Sequence, residues 1–168
     1  ITWIDWSKVD ADLLAYTQRL IALRHQLLPF ASQWYSGVTD ADGMDDLSWW
    51  QADGSVLQGS IWHQPMARTL TCLIGKPGRS IRPLAILINA GANPTPFVLP
   101  RGQWQAMLDT SHPRGLTYQT GSGGNSLEVP AHSLMLLQQI SGKTNPIYPF
   151  ESSMPAPLVN QTKFDQSI

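Results

Sequence analysis

The chain has 168 residues and 18.6 kDa, which suits one domain with a core of its own and a short appendage. Eleven Lys and Arg against twelve Asp and Glu leave a formal net charge of −1, so no basic footprint for nucleic acid is present, and the longest apolar run, Leu84 to Ile88, is far too short to span a membrane. A single cysteine, Cys72, can close no internal disulfide and excludes the multi-cysteine zinc spacings; with 42% hydrophobic and 14% charged residues the main body reads as ordered.

The chain opens on Ile1 in an apolar, aromatic segment rather than on Met, which reads as a piece of something longer or a processed product. From Ser7 to Leu28 the spacing predicts one long helix, with Ser7 or Asp10 as the N-cap and Pro29 as the stop. Leu13, Tyr16, Leu20, Leu23 and Leu27 form one stripe and Leu14, Ile21 and Leu28 a second, with Thr17 and Arg24 between them. At 100° per residue the two together cover about 180°, wider than the ~100° needed to dock on one core. One stripe is therefore expected to meet the rest of this chain and the other a partner, with homodimerisation of the isolated chain as a possible outcome.

After Phe30 short apolar segments alternate with turn chemistry, the pattern of an antiparallel β-domain. Strands are predicted over Leu47 to Gln51, Thr69 to Gly75, Pro83 to Asn89, Pro96 to Leu99, Gln103 to Leu108, Ser126 to Val129 and Ser133 to Gln138, with a brief one near Tyr118. Ala52-Asp53-Gly54-Ser55 and Lys76-Pro77-Gly78 read as turns, and Pro83 to Asn89 as a strand buried on both faces. From Ser141 four prolines fall between Asn145 and Pro157 and periodicity disappears, so 141–168 reads as a mobile or surface-draped tail.

Few constellations carry chemistry. His25, His63, His112 and His132 share no metal or triad spacing and read as surface or turn residues. Asp40, Asp42, Asp45 and Asp46 lack the closing Glu of a calcium loop and read as a solvated acidic loop, while Gly121-Ser122-Gly123-Gly124 lacks the helix that a phosphate cradle needs. No catalytic residue, metal ligand or cofactor site is therefore assigned. Seven tryptophans among fifteen aromatics demand a cause. Indoles stack on sugar rings while their N–H reaches a hydroxyl, so Trp3, Trp6, Trp34, Trp49, Trp50 and Trp62 suit a carbohydrate site; Trp50 and Trp104, inside strand patterns, read as core.

Ile1-Thr2-Trp3-Ile4-Asp5-Trp6, with Leu20-Ile21-Ala22-Leu23-Arg24 on the following helix, resembles the closing segment of the catalytic barrel in bacterial glycogen debranching enzymes of the isoamylase type, within the α-amylase superfamily. Asp46-Leu47-Ser48-Trp49, Gly54, Ala85 to Ala90, Phe97 to Pro100, Trp104 and Val129 to Leu137 are similar to that family's C-terminal β-sandwich; Gly91 stands where members often place a histidine.

The resemblance implies a mainly β fold: the last loop and helix of an otherwise absent (β/α)8 barrel over 1–30, an antiparallel β-sandwich over 31–140, and the tail over 141–168. It implies a bacterial, cytoplasmic parent that hydrolyses α-1,6 branch linkages of glycogen or limit dextrin with an aspartate nucleophile and a glutamate acid/base. Both carboxylates would lie upstream of Ile1, leaving this chain non-catalytic, its partners being the parent's barrel and, through it, α-glucan. Trp3, after the last barrel strand, is then the expected substrate-binding residue, since active sites form at that end of a barrel. An autonomous carbohydrate-binding module and a ligand-free structural or assembly domain are the alternatives.

Overall fold

The computed structural model describes residues 5–27, 37, 45–75 and 82–140. A 3-10 turn, Trp6–Lys8, leads into α1, Ala11–Leu27, and eight strands follow: β1 Leu47–Trp50, β2 Thr69–Ile74, β3 Leu84–Asn89, β4 Thr95–Val98, β5 Gln103–Asp109, β6 Thr120–Ser122, β7 Ser126–Val129 and β8 Ser133–Ile140. All pairings are antiparallel, in a six-stranded sheet of order β1-β2-β3-β8-β5-β6 and a two-stranded sheet of β4 and β7. The expected mainly β architecture, one helix and an antiparallel sandwich, is thus what the described residues adopt.

Alternation along the strands divides the apolar residues between two cores. Leu73, Ala85, Leu87, Trp104, Ala106, Met135 and Leu137 point from the large sheet toward Phe97, Leu99 and Val129 of the small-sheet side, and this is the sandwich core. Cys72, Ile74, Leu84 and Leu108 point the other way, where Leu23 and Leu27 of α1 cover them. The central strands β3 and β8 serve both cores. That double burial is why Leu84 to Ile88 and Leu134 to Leu137 read as unbroken apolar runs.

Asn89, at the end of β3, fastens the two sheets. Its buried amide donates to the carbonyls of Asn93 (2.9 Å), Val129 (3.1 Å) and Pro130 (3.1 Å), and its Oδ1 accepts from the Gly91 N–H (2.9 Å). A polar group this buried is stable only with its bonds made, and here it closes the crossing between β3 and β7. At the other hairpin, Gly54 takes a φ of +82° and its N–H meets the Gln51 carbonyl at 3.1 Å, as the Asp-Gly pair predicts.

Three expectations are corrected in detail. The helix begins at Ala11 rather than Ser7, with Asp10, one of the two expected caps, accepting at Oδ1 from the N–H groups of Asp12 and Leu13 at 3.0 Å each, while Asp5 caps the separate 3-10 turn through Ser7. The brief strand expected near Tyr118 lies at Thr120–Ser122, paired with Gln103 to Gln105, and takes in part of the Gly121 to Gly124 segment read as a turn. Strand β5 is also irregular: its register to β8 shifts between Ala106 and Leu108, so that Met107 is an extra residue. Leu28, the turn at Lys76-Pro77-Gly78 and the tail 141–168 lie outside the described residues.

Candidate functional site

The bulge in β5 decides where the helix sits. Without the extra residue, Trp104, Ala106 and Leu108 would share one face; with it, Trp104 and Ala106 stay in the sandwich core and Leu108 turns to the helix side. Arg19 reaches from α1 to this irregularity and donates from Nη2 to the Met107 carbonyl at 2.7 Å. Tyr16 lies over Gly115, where an added Cβ would come within 2.8 Å of the ring. Asp12 and Arg114 close the helix start with an ion pair at 2.9 Å, exposed on both sides and worth at most about 1 kcal/mol.

The docked arc of α1 is therefore Asp12, Tyr16, Arg19, Leu23 and Leu27. This redraws the expected stripes, because Leu13 and Leu20 belong with the second one. Leu13 is 61% exposed, Leu14 46%, Leu20 37% and Ile21 53%, with the exposed Thr17 and Arg24 among them. On a helical wheel these positions form a contiguous arc of about 120° beside the buried one. The Thr17 hydroxyl turns inward on the helix itself, donating to the Leu13 carbonyl at 2.8 Å, which leaves the outer face more apolar than its composition suggests.

A second surface lies at the outer edge of the large sheet. After β1 the chain turns back, with the Leu57 N–H bonded to the Trp49 carbonyl at 2.8 Å, and forms a 3-10 turn over Ile61–His63. Trp62 of this turn meets Trp49 of β1 edge to face, ring centroids 5.7 Å apart and planes at 78°. Trp49 leans on the helix-side core and Trp62 is 50% exposed.

Trp50 and Trp104 behave as read from their strands. Trp104 is fully buried and donates from Nε1 to the Pro100 carbonyl at 2.8 Å, and Trp50 packs on the sandwich core with its Nε1 on Ser48 Oγ at 2.8 Å. Trp3, the expected substrate-binding residue, lies outside the described residues together with Trp34 and the Trp6 side chain. His25, His63, His112 and His132 are all exposed. Of the acidic loop, Asp40 and Asp42 are outside the described residues, and Asp46 is structural, its Oδ2 accepting from the Gly37 N–H at 3.1 Å and its carbonyl from Gly75 N–H at 3.0 Å. Among the described residues no group of three His, Cys, Asp or Glu is placed to hold a metal ion, and no helix is long and apolar enough to cross a membrane.

The fold defines a class: an antiparallel β-sandwich that carries a helix on the outer face of its larger sheet and leaves the far side of that helix open. No family model matches the chain. Over 108 residues it is 35% identical to the glycogen debranching enzyme of Cronobacter sakazakii, and over 126 residues 28% identical to the glycogen debranching enzymes of Yersinia pseudotuberculosis serotype O:1b and Yersinia pestis bv. Antiqua (strain Angola). These matches take in 64% and 73% of this chain but only 14% and 17% of the relatives, so the chain is similar to a part of glycogen debranching enzymes.

Proposed function

We propose that this chain is the non-catalytic C-terminal β-sandwich part of a bacterial, cytoplasmic glycogen debranching enzyme of the isoamylase type in the α-amylase superfamily. The enzyme as a whole hydrolyses α-1,6 branch linkages, and this part stabilises the catalytic barrel. The observation that supports the reading is the two-sided helix. Tyr16, Leu23 and Leu27 serve the sandwich, while Leu13, Leu14, Leu20 and Ile21 stay in water. Full burial of such a side chain is worth roughly 1.5–3 kcal/mol and these are about half exposed, so a partner that covers the face gains about half of that from each. Similarity to part of glycogen debranching enzymes supports a debranching catalytic domain as that partner.

Trp3 belongs to this reading as the residue nearest the sugar, in the loop that follows the last barrel strand; Trp3→Ala in the whole enzyme is expected to lower kcat/KM for branched substrate. The reading also requires the isolated chain to be inert. Incubated with glycogen or a limit dextrin it is expected to release no reducing sugar above a buffer control, and release that survives repurification and tracks the protein would refute the non-catalytic assignment.

A further inference from the structure

We propose that Trp62, backed by Trp49, forms a surface site for linear α-glucan on the sandwich itself, apart from any barrel. The segment 57–68 that carries Trp62 is ordered by its own backbone. Ile61 N–H bonds to the Gln58 carbonyl (2.9 Å), Gln64 N–H to Ile61 (3.1 Å) and Ala67 N–H to Gln64 (3.2 Å), and Arg68 Nη1 holds the carbonyls of Pro65 (3.0 Å) and Ala67 (3.1 Å). Yet none of the residues of its 3-10 turn is buried. A structured excursion that holds an indole half in water, while contributing no side chain to either core, is built for display.

The tryptophans sort by their N–H groups. Trp50 and Trp104 spend theirs on Ser48 and Pro100. Trp49 and Trp62 have no hydrogen-bond acceptor for theirs among the described residues, and a buried indole N–H would need one. The near-perpendicular pairing holds the Trp62 and Trp49 rings against each other. With Trp62 half exposed, the pair has apolar indole surface and N–H donors to offer a ligand. A pyranose presents the complement, an apolar face of axial C–H groups and a rim of hydroxyls.

The surroundings separate this surface from the helix face. Gln58, Ser60, His63 and Gln64 are exposed along the segment and supply polar contacts, whereas the outer arc of α1 is aliphatic. An aromatic plate with a polar rim suits a sugar; an aliphatic stripe suits protein. The choice of an α-linked glucan rests on the glycogen reading above.

The test uses the whole chain with 15N-labelled tryptophans, titrated with maltoheptaose and separately with cellohexaose. Maltoheptaose is expected to shift the Trp62 indole N–H resonance and leave those of Trp50 and Trp104 in place. Trp62→Ala is expected to weaken binding at least about tenfold with the fold retained and the unfolding midpoint lowered only by the loss of the Trp49 contact, and Trp62→Phe to retain part of the affinity. Millimolar maltoheptaose that leaves the Trp62 resonance unmoved, or binding that Trp62→Ala does not weaken, overturns the site and leaves the helix-docking reading standing. An equal response to cellohexaose overturns the α-glucan assignment and with it an expectation of the glycogen reading. Self-association lost on Trp62→Ala would make the surface a protein interface and overturn the proposal.

Discussion

Gly115 is the residue on which the helix closes. It has a φ of +63°, and a Cβ there would lie 2.5 Å from Leu108 Cδ1 and 2.8 Å from Tyr16 Cε2, so both backbone and packing demand glycine. Gly115→Ala is expected to destabilise the fold by about 1–3 kcal/mol in urea unfolding, while Gly124→Ala, equally left-handed but with open space around it, carries the backbone strain alone. Cys72 makes a different prediction. Burial pushes its thiol up from 9.0 to about 11, so the unfolded chain ionises first. Its contribution is therefore intact below pH 9.0 and lost as pH rises toward about 11, and in the neutral range the thiol is expected to react with aromatic disulfide reagents only on unfolding. Residue identity announces some of this, as with Asp53-Gly54, but no neighbour of Gly115 in the chain marks it as the floor beneath Tyr16.

Elements were legible where one rule governs them. The unbroken apolar runs of β3 and β8, the alternation of β2 and the turn at Gly54 all follow from local composition and appear within a residue or two of their predicted bounds. The β5 bulge was not legible: Gln103 to Leu108 reads as one regular strand, and the extra residue Met107 appears only in its register against β8. The helix stripes failed for the same reason. Spacing defines an apolar arc but not which edge docks; that is set by Arg19 on the bulge carbonyl and by the room over Gly115, which strand Leu13 and Leu20 outside. Likewise the seven tryptophans are visible in composition, whereas the meeting of Trp49 with Trp62 depends on a backbone reversal. Arg19→Met, which keeps the stem and removes the donor, is expected to cost about 1–3 kcal/mol by leaving the Met107 carbonyl short of a partner. Faster amide exchange in α1 than in β3 and β8 would accompany it, whereas uniform acceleration would show that the contact is not specific to helix docking.

At the scale of the molecule α1 is an element with two loyalties, satisfied on one side by the sandwich and open on the other. The outer arc is large enough to matter, because four aliphatics that are 37% to 61% exposed forfeit together about twice the roughly 1.5–3 kcal/mol of one full burial. The chain spans 14–17% of the length of the curated relatives it matches. Sedimentation of the isolated chain over a wide concentration range, beside the double variant Leu20→Glu/Ile21→Glu, tests the two-sided helix most directly. The wild-type chain is expected to self-associate as its concentration rises, and the variant to stay monomeric with the same unfolding midpoint, since neither side chain contributes to a core. A wild-type chain that remains monomeric throughout and binds no hydrophobic dye, or a variant that loses stability as a monomer, would contradict the two-sided helix and the docking role drawn from it.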